Sequence, residues 1–78
     1  MQVRVISPER IILETSAEQV IVDTVQGKMG ILENHCPLVA VLQPGEIRFQ
    51  YQGKWQNISS SSGLIQINNN QVMILLDQ

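Results

Sequence analysis

Short blocks of Val and Ile, each closed within a few residues by Gly, Pro, Asn or Ser, recur from one end of this chain to the other. Two heavy atoms on Cβ crowd a helix and suit a pleated strand, so the blocks predict strands and the residues between them predict turns. At 78 residues there is room for one core and not for two, and the whole of 1–78 is expected to fold as a single domain.

Residues 3–6 make the first strand and stop at Ser7-Pro8-Glu9-Arg10, where proline fixes its own φ and restricts the residue before it. Residues 11–13 begin a second. From 20 to 25, Val20, Val22 and Thr24 alternate with Ile21, Asp23 and Val25, so apolar groups stand on both faces, as in a central strand. A helix over 14–25 is the rival, because Ala17, Glu18 and Gln19 are helix-compatible; the block Val20-Ile21-Val22 opposes it. Gly27-Lys28-Met29-Gly30 reads as a hairpin, with Lys28 and Met29 projecting from its tip where another protein can meet them.

Residues 38–42 are again apolar, Pro44-Gly45 reads as a turn, and Ile47, Phe49 and Tyr51 then alternate with Glu46, Arg48 and Gln50 on a strand with one wet face. Gln52-Gly53-Lys54 and Asn68-Asn69-Asn70 are short enough for hairpin turns, and asparagine tolerates the left-handed backbone such turns need. The four serines from Ser59 to Ser62 are either a flexible linker or the polar end of a strand, and the second suits a small domain. The whole predicts an all-β fold, an antiparallel flattened sandwich or barrel of about ten short strands.

Composition narrows function mainly by exclusion. Arg4, Arg10, Lys28, Arg48 and Lys54 are scattered singly and the net charge is −2, which leaves no basic cluster to follow a phosphate backbone; nucleic acid is not an expected partner. Phe49, Tyr51 and Trp55 lie close together and are expected in the core of one hairpin. The single cysteine, Cys36, can form no intrachain disulfide, which fits a reducing compartment. The first residues are not a signal segment, and no apolar run approaches the roughly 18 residues a membrane span needs.

Chemistry is equally sparse. His35 and Cys36 are chain neighbours that point apart in extended structure, so they make a poor nucleophile and base. Two such residues are too few for a structural zinc site, and neither a metal nor a cofactor is expected. Gly27 to Gly30 lacks the length and the Lys-Ser/Thr ending of a phosphate loop.

Read in order, Gly27-Lys28-Met29-Gly30-Ile31-Leu32, His35-Cys36-Pro37-Leu38 and Leu42-Gln43-Pro44-Gly45-Glu46-Ile47-Arg48 make a set. With Val5-Ile6-Ser7-Pro8-Glu9-Arg10 before it and Gly63-Leu64-Ile65-Gln66-Ile67, Asn70 and 72–77 after it, the set resembles the β-sandwich domain of the F-type ATP synthase epsilon subunit, called delta in mitochondria. Three positions depart from that pattern: Glu33 where the family often has proline, Cys36 where alanine is common, and Ser62 where a second glycine usually precedes Gly63. The helical hairpin that follows in longer members is expected to be absent here.

The resemblance implies a ten-stranded sandwich that joins the gamma subunit to the ring of c subunits in the central stalk, turns with both, and catalyses nothing. It implies a ring contact at Lys28, Met29, Glu33, Asn34 and His35, and a gamma contact at Ser7, His35 and Ala40. Lys28 stands where some relatives carry an acid, which implies a reversed polarity at the ring. It also implies a peripheral place on a membrane, at the cytoplasmic face in a bacterium or the stromal or matrix face in an organelle, with the bacterial origin favoured. With no hairpin to dock along gamma, the chain is expected to couple rotation without braking it. The alternative is a free-standing β-sandwich adaptor that binds a peptide or protein at a sheet edge.

The purified chain is expected to neither bind nor hydrolyse ATP, because no glycine-rich loop converges backbone amides on a phosphate. Isothermal calorimetry checks it, and tight stoichiometric binding of ATP contradicts it.

Overall fold

Two of the predicted hairpin turns can be located by the backbone they require. The computed structural model describes residues 1–77, and its strands are β1 (Gln2–Ile6), β2 (Ile11–Ser16), β3 (Gln19–Thr24), β4 (Gly27–Leu32), β5 (Leu38–Tyr51), β6 (Lys54–Ser60), β7 (Gly63–Asn68) and β8 (Gln71–Leu76). Tyr51 pairs with Lys54 across Gln52 (φ 52) and Gly53 (φ 78), and Asn68 pairs with Gln71 across Asn69 (φ 50) and Asn70 (φ 58). Both central residues are left-handed in each case, which matches the twist of the flanking strands. At the first turn the Ser7 N–H donates to the Arg10 carbonyl at 2.9 Å. Among the described residues there is no helix, hence none that could cross a membrane, and the rival helix over 14–25 is excluded.

The strands form one sheet in the order β2-β1-β8-β7-β5-β3-β4, with β6 also paired to β5. β5 has 14 residues and organises this arrangement. Residues 38–42 pair with β7 and residues 45–51 pair with β6, while β3 pairs with Leu42 and with residues 47–50. A strand has two edges, so β3 holds one edge and β7 and β6 succeed each other along the other. Between the two halves, β3 advances from Val22 to Thr24 while its partner moves from Ile47 to Leu42. The excess residues, including Pro44 and Gly45, bulge and bend the strand, so that the sheet turns over on itself into two layers.

The first layer is β2-β1-β8-β7 with the beginning of β5; the second is β4-β3 with the rest of β5 and β6. Val3, Val5, Ile65, Ile67, Val72 and Ile74 from one layer meet Val20, Val22, Ile31, Ile47 and Phe49 from the other, all 2% exposed or less. Burying side chains of this size stabilises by roughly 1.5–3 kcal/mol each before chain entropy is charged against them.

Five expectations are corrected. Among the described residues there are eight strands, and Pro44-Gly45, expected as a turn, bends one continuous strand and does not separate two. The sandwich is not wholly antiparallel: β1 and β8 run parallel. Gly27 to Gly30 is not a hairpin tip, since both lie on β4 and the turn is Val25-Gln26. Thr24 makes that turn, with its hydroxyl donating to the Gly27 carbonyl at 2.7 Å and accepting from the Gln26 N–H at 3.1 Å. Tyr51 (42% exposed) and Trp55 (39%) lie outside the core that Phe49 joins. Instead the Arg48 guanidinium lies over the Trp55 ring, 5.2 Å from its centroid. Finally, Met29 pairs with core-facing Val22 and packs half-buried against the core, so it does not project. The serine run, by contrast, is a polar strand end: β6 extends to Ser60, and Ser61 and Ser62 cross to β7 half-buried.

Glycine substitutions test how closely neighbouring strands approach. A Cβ on Gly63 would meet the Leu75 backbone carbonyl, whereas one on Gly30 would meet nothing within 4 Å. Gly63→Ala is expected to cost about 1–3 kcal/mol through displaced backbone, and Gly30→Ala to stay within about 0.5 kcal/mol of the parent. Urea unfolding of the two variants measures both.

Candidate docking surfaces

The residues expected at a ring contact lie near opposite ends of β4. Lys28 sits near its start and Leu32 at its end, about 13 Å apart at the usual strand rise. Glu33, Asn34 and His35 follow Leu32, so they form a second locus and do not join Lys28 and Met29 in one tip.

At the first locus, Lys28 is opposite Asp23 in the β3–β4 register, and its ammonium donates to Asp23 Oδ1 at 2.8 Å. Asp23 Oδ2 accepts the Glu46 backbone N–H at 3.0 Å, from within the β5 bulge. Gly45 leaves room for this carboxylate, since a Cβ there would run into Oδ2. The Lys28 hydrogen bond first, and the Glu46 N–H second, hold the Asp23 carboxyl below its ordinary value of 3.8 against a smaller desolvation effect. The Lys28 side chain is 74% exposed while that of Asp23 is 18% exposed, so the hairpin presents a paired cation and not a free one. Met29 lines a groove of about 290 Å³ with Val25, Leu38, Val39, Ala40 and Val41.

At the second locus, Asn34 adopts φ 60 and its N–H donates to Asn70 Oδ1 at 2.8 Å, tying this loop to the β7–β8 turn. Glu33 Oε1 lies 3.3 Å from the Met1 ammonium, which also donates to the Ala17 carbonyl at 2.9 Å. The half-buried His35 lies 2.8 Å through Nδ1 from the Cys36 carbonyl; a carbonyl only accepts, so Nδ1 carries the proton in this contact.

The three residues expected to face gamma are spread along the first layer. Ser7 follows the end of β1, where Ile6 pairs with Leu75, and His35 follows Asn34, which bonds Asn70. The run of β8 from Asn70 to Leu75 sets these two ends about 17 Å apart. Ala40 pairs with the fully buried Ile65 and packs against the core.

A continuous feature runs between Ser7 and Ala40 that motif reading did not identify. Ile11, Ile6, Leu75, Leu64 and Val41 are directly opposite one another on successive strands, and the Val25 N–H extends the row by donating to the Val41 carbonyl at 3.0 Å. Directly opposed residues share a face. The five strand residues lie on the outer face of the first layer; Ile11, Leu75, Leu64 and Val41, with Val25 in the adjoining β3–β4 turn, are all between 38% and 60% exposed. Val39, 64% exposed, adds to the same face beyond Val41. Toward the other end the face turns polar, with Gln2, Gln66, Gln71 and an Arg4–Glu14 pair at 3.6 Å. The signal was present in the sequence: residues 38–42 and 72–76 are apolar at consecutive positions, whereas a strand covered on one side alternates.

Known proteins share this sequence pattern and this fold. The family model described as ATP synthase, Delta/Epsilon chain, beta-sandwich domain matches residues 1–78. The chloroplastic ATP synthase epsilon chain of Nephroselmis olivacea is 36% identical over 78 residues, covering 100% of this chain and 59% of that protein. The ATP synthase epsilon chain of Desulfitobacterium hafniense strain Y51 is 40% identical over 74 residues, covering 95% and 56%. The chain therefore spans less than three-fifths of the length of these curated relatives. Among solved structures, the mitochondrial ATP synthase of Euglena gracilis (OSCP/F1/c-ring) contains a chain with a TM-score of 0.90 and 25% identity, matched over 97% of this chain and 49% of its own length. A chain in the central stalk and c-ring of the Tetrahymena thermophila mitochondrial ATP synthase has a TM-score of 0.83 at 14% identity, a likeness of fold.

The Asp23 bonds predict a pH dependence of defined sign. A carboxyl whose folded pKa is depressed contributes stability that is fully present above its unfolded value, here 3.8, and is lost as pH falls through the lower folded value. Asp23→Asn is expected to flatten that part of the stability profile below pH 3.8, and chemical unfolding of parent and variant across the acid range checks it.

Proposed function

The chain belongs to the ATP synthase delta/epsilon β-sandwich family, and from that premise we propose that it is a non-catalytic subunit of the central stalk that joins gamma to the c ring. The observation that carries this reading is the exposed apolar row from Ile11 to Val25. Isolated domains seldom leave so continuous an apolar strip to water, and such strips mark protein contacts. Gamma is the proposed occupant of that face, with Ser7 at its border and Ala40 backing the strand between Val39 and Val41. Lys28 and Met29 at one end of β4, and Glu33, Asn34 and His35 at the other, are the proposed ring contacts.

Residues 1–78 act in this reading as one rigid coupling unit, peripheral to the membrane that holds the ring, on the cytoplasmic side in a bacterium. Torque needs a body that does not shear between its two attachments. The shared strand β5, with its bulge held by Asp23, supports that role because neither layer can slide without breaking the strand.

Leu64→Glu and Val41→Glu place a charge in the row at exposed positions, so both are expected to fold while weakening association with gamma by about tenfold or more. Gln66→Glu, on the polar part of the same face, is the control and is expected to assemble normally. Co-purification of tagged variants with gamma, beside thermal melts, measures both effects. Normal assembly of both row variants rules out the row as the docking face, and a parent chain that purifies without gamma favours the adaptor.

A further inference from the structure

We propose that Asp23 is a positioning residue for the Lys28 contact, so that the β3–β4 corner offers its partner an ordered, neutral ion pair and not a lone positive charge. The inference rests on the proposed ring contact at Lys28 and goes beyond it by naming a second determinant and the chemistry it fits.

A lysine on an exposed strand ordinarily samples many rotamers, and fixing it on binding costs affinity. Here one of its three donors is already engaged at 2.8 Å. The carboxylate that engages it is itself fixed from behind by the Glu46 N–H at 3.0 Å and by close approach over Gly45. Asp23 cannot swing away without giving up its bond to the β5 bulge, so the ammonium is held to the corner of the two layers. Two N–H donors remain on a side chain 74% exposed.

The charge arithmetic decides what those donors fit. Lys28 and Asp23 sum to zero, so a partner carboxylate attracted by the ammonium is repelled by the anion beside it. Uncharged acceptors, such as the backbone carbonyls and amide oxygens of a polar loop, take the two donors without that opposition. The reversed polarity expected from Lys28 alone is thereby cancelled, and association through this corner is expected to depend little on salt.

The test uses a complex stripped of its own epsilon-type chain and immobilised through another subunit. Parent, Asp23→Asn, Lys28→Gln and the double variant are bound to it at low and high ionic strength. In Asp23→Asn the side-chain amide oxygen can still accept from the Glu46 N–H, so that bond survives while the charge partner of Lys28 is lost. The expected results are a loss of about three- to tenfold in affinity for Asp23→Asn, a salt dependence that the parent lacks, and no further loss when Asp23→Asn is added to Lys28→Gln. Some loss of melting temperature accompanies Asp23→Asn under either reading; a purely structural role adds its affinity loss to the Lys28→Gln effect and leaves salt dependence as in the parent, which overturns the proposal. If Lys28→Gln weakens binding and Asp23→Asn does not, Lys28 acts without Asp23 and only this inference fails. If Lys28→Gln binds as the parent does, the ring contact at Lys28 fails and the inference with it.

Discussion

The bend in β5 is the constraint on which the rest of the structure depends. One strand belongs to both layers of this core: Leu38–Tyr51 pairs with β7 through its first residues and with β6 through its last. Pro44 has no N–H to contribute to a ladder, and a proline within a sheet is found where pairing is interrupted. The interruption is then used: the Glu46 N–H, freed from the ladder, finds Asp23, and Asp23 finds Lys28. The fold's corner and the paired charge beside it are both tied to one bulge.

The same bend shows what could be read from the sequence and what could not. Strand identity was legible because β-branched blocks and left-handed turn residues are local signals, and Gln52-Gly53 and Asn69-Asn70 behave as their chemistry requires. Pro44-Gly45 carries an equally strong turn signal, and it misled because nothing local tells a chain reversal from a bend within one strand. That difference lies in whether residues on both sides share a partner, and here β3 is shared. Gly27 and Gly30 misled in a related way. A threonine hydroxyl one turn earlier supplied the turn, leaving Gly27 at its exit with φ 115 and Gly30 as an ordinary strand residue.

The site was less legible than the fold. Family resemblance supplied Ser7, Ala40 and the residues around His35 one at a time, and single positions do not reveal a face. The apolar row emerges only after register is known, because its members come from five strands and meet through pairings such as Ile6 with Leu75 and Leu64 with Val41. Its trace in sequence, apolar residues at consecutive positions in 38–42 and 72–76, reads equally well as plain strand propensity. Apolar groups on both faces of a strand fit a strand covered on both sides, and in the proposed reading gamma supplies the cover on the outer face.

That outside cover has an energetic meaning. Fully burying a side chain such as Leu or Val contributes about 1.5–3 kcal/mol, so covering the five roughly half-exposed members of the row contributes on the order of 5 kcal/mol. A lone core in a domain of this size supplies only about 3–5 kcal/mol of net stability. The two quantities are comparable, and a partner that binds only the folded chain adds its binding free energy to the folding equilibrium. The face that would carry the domain's mechanical load is thus also the face whose occupation would secure its fold. In the proposed reading a sandwich of this kind has no need of a larger core, because it leaves a row of apolar side chains on its outer surface whose burial assembly with gamma would complete.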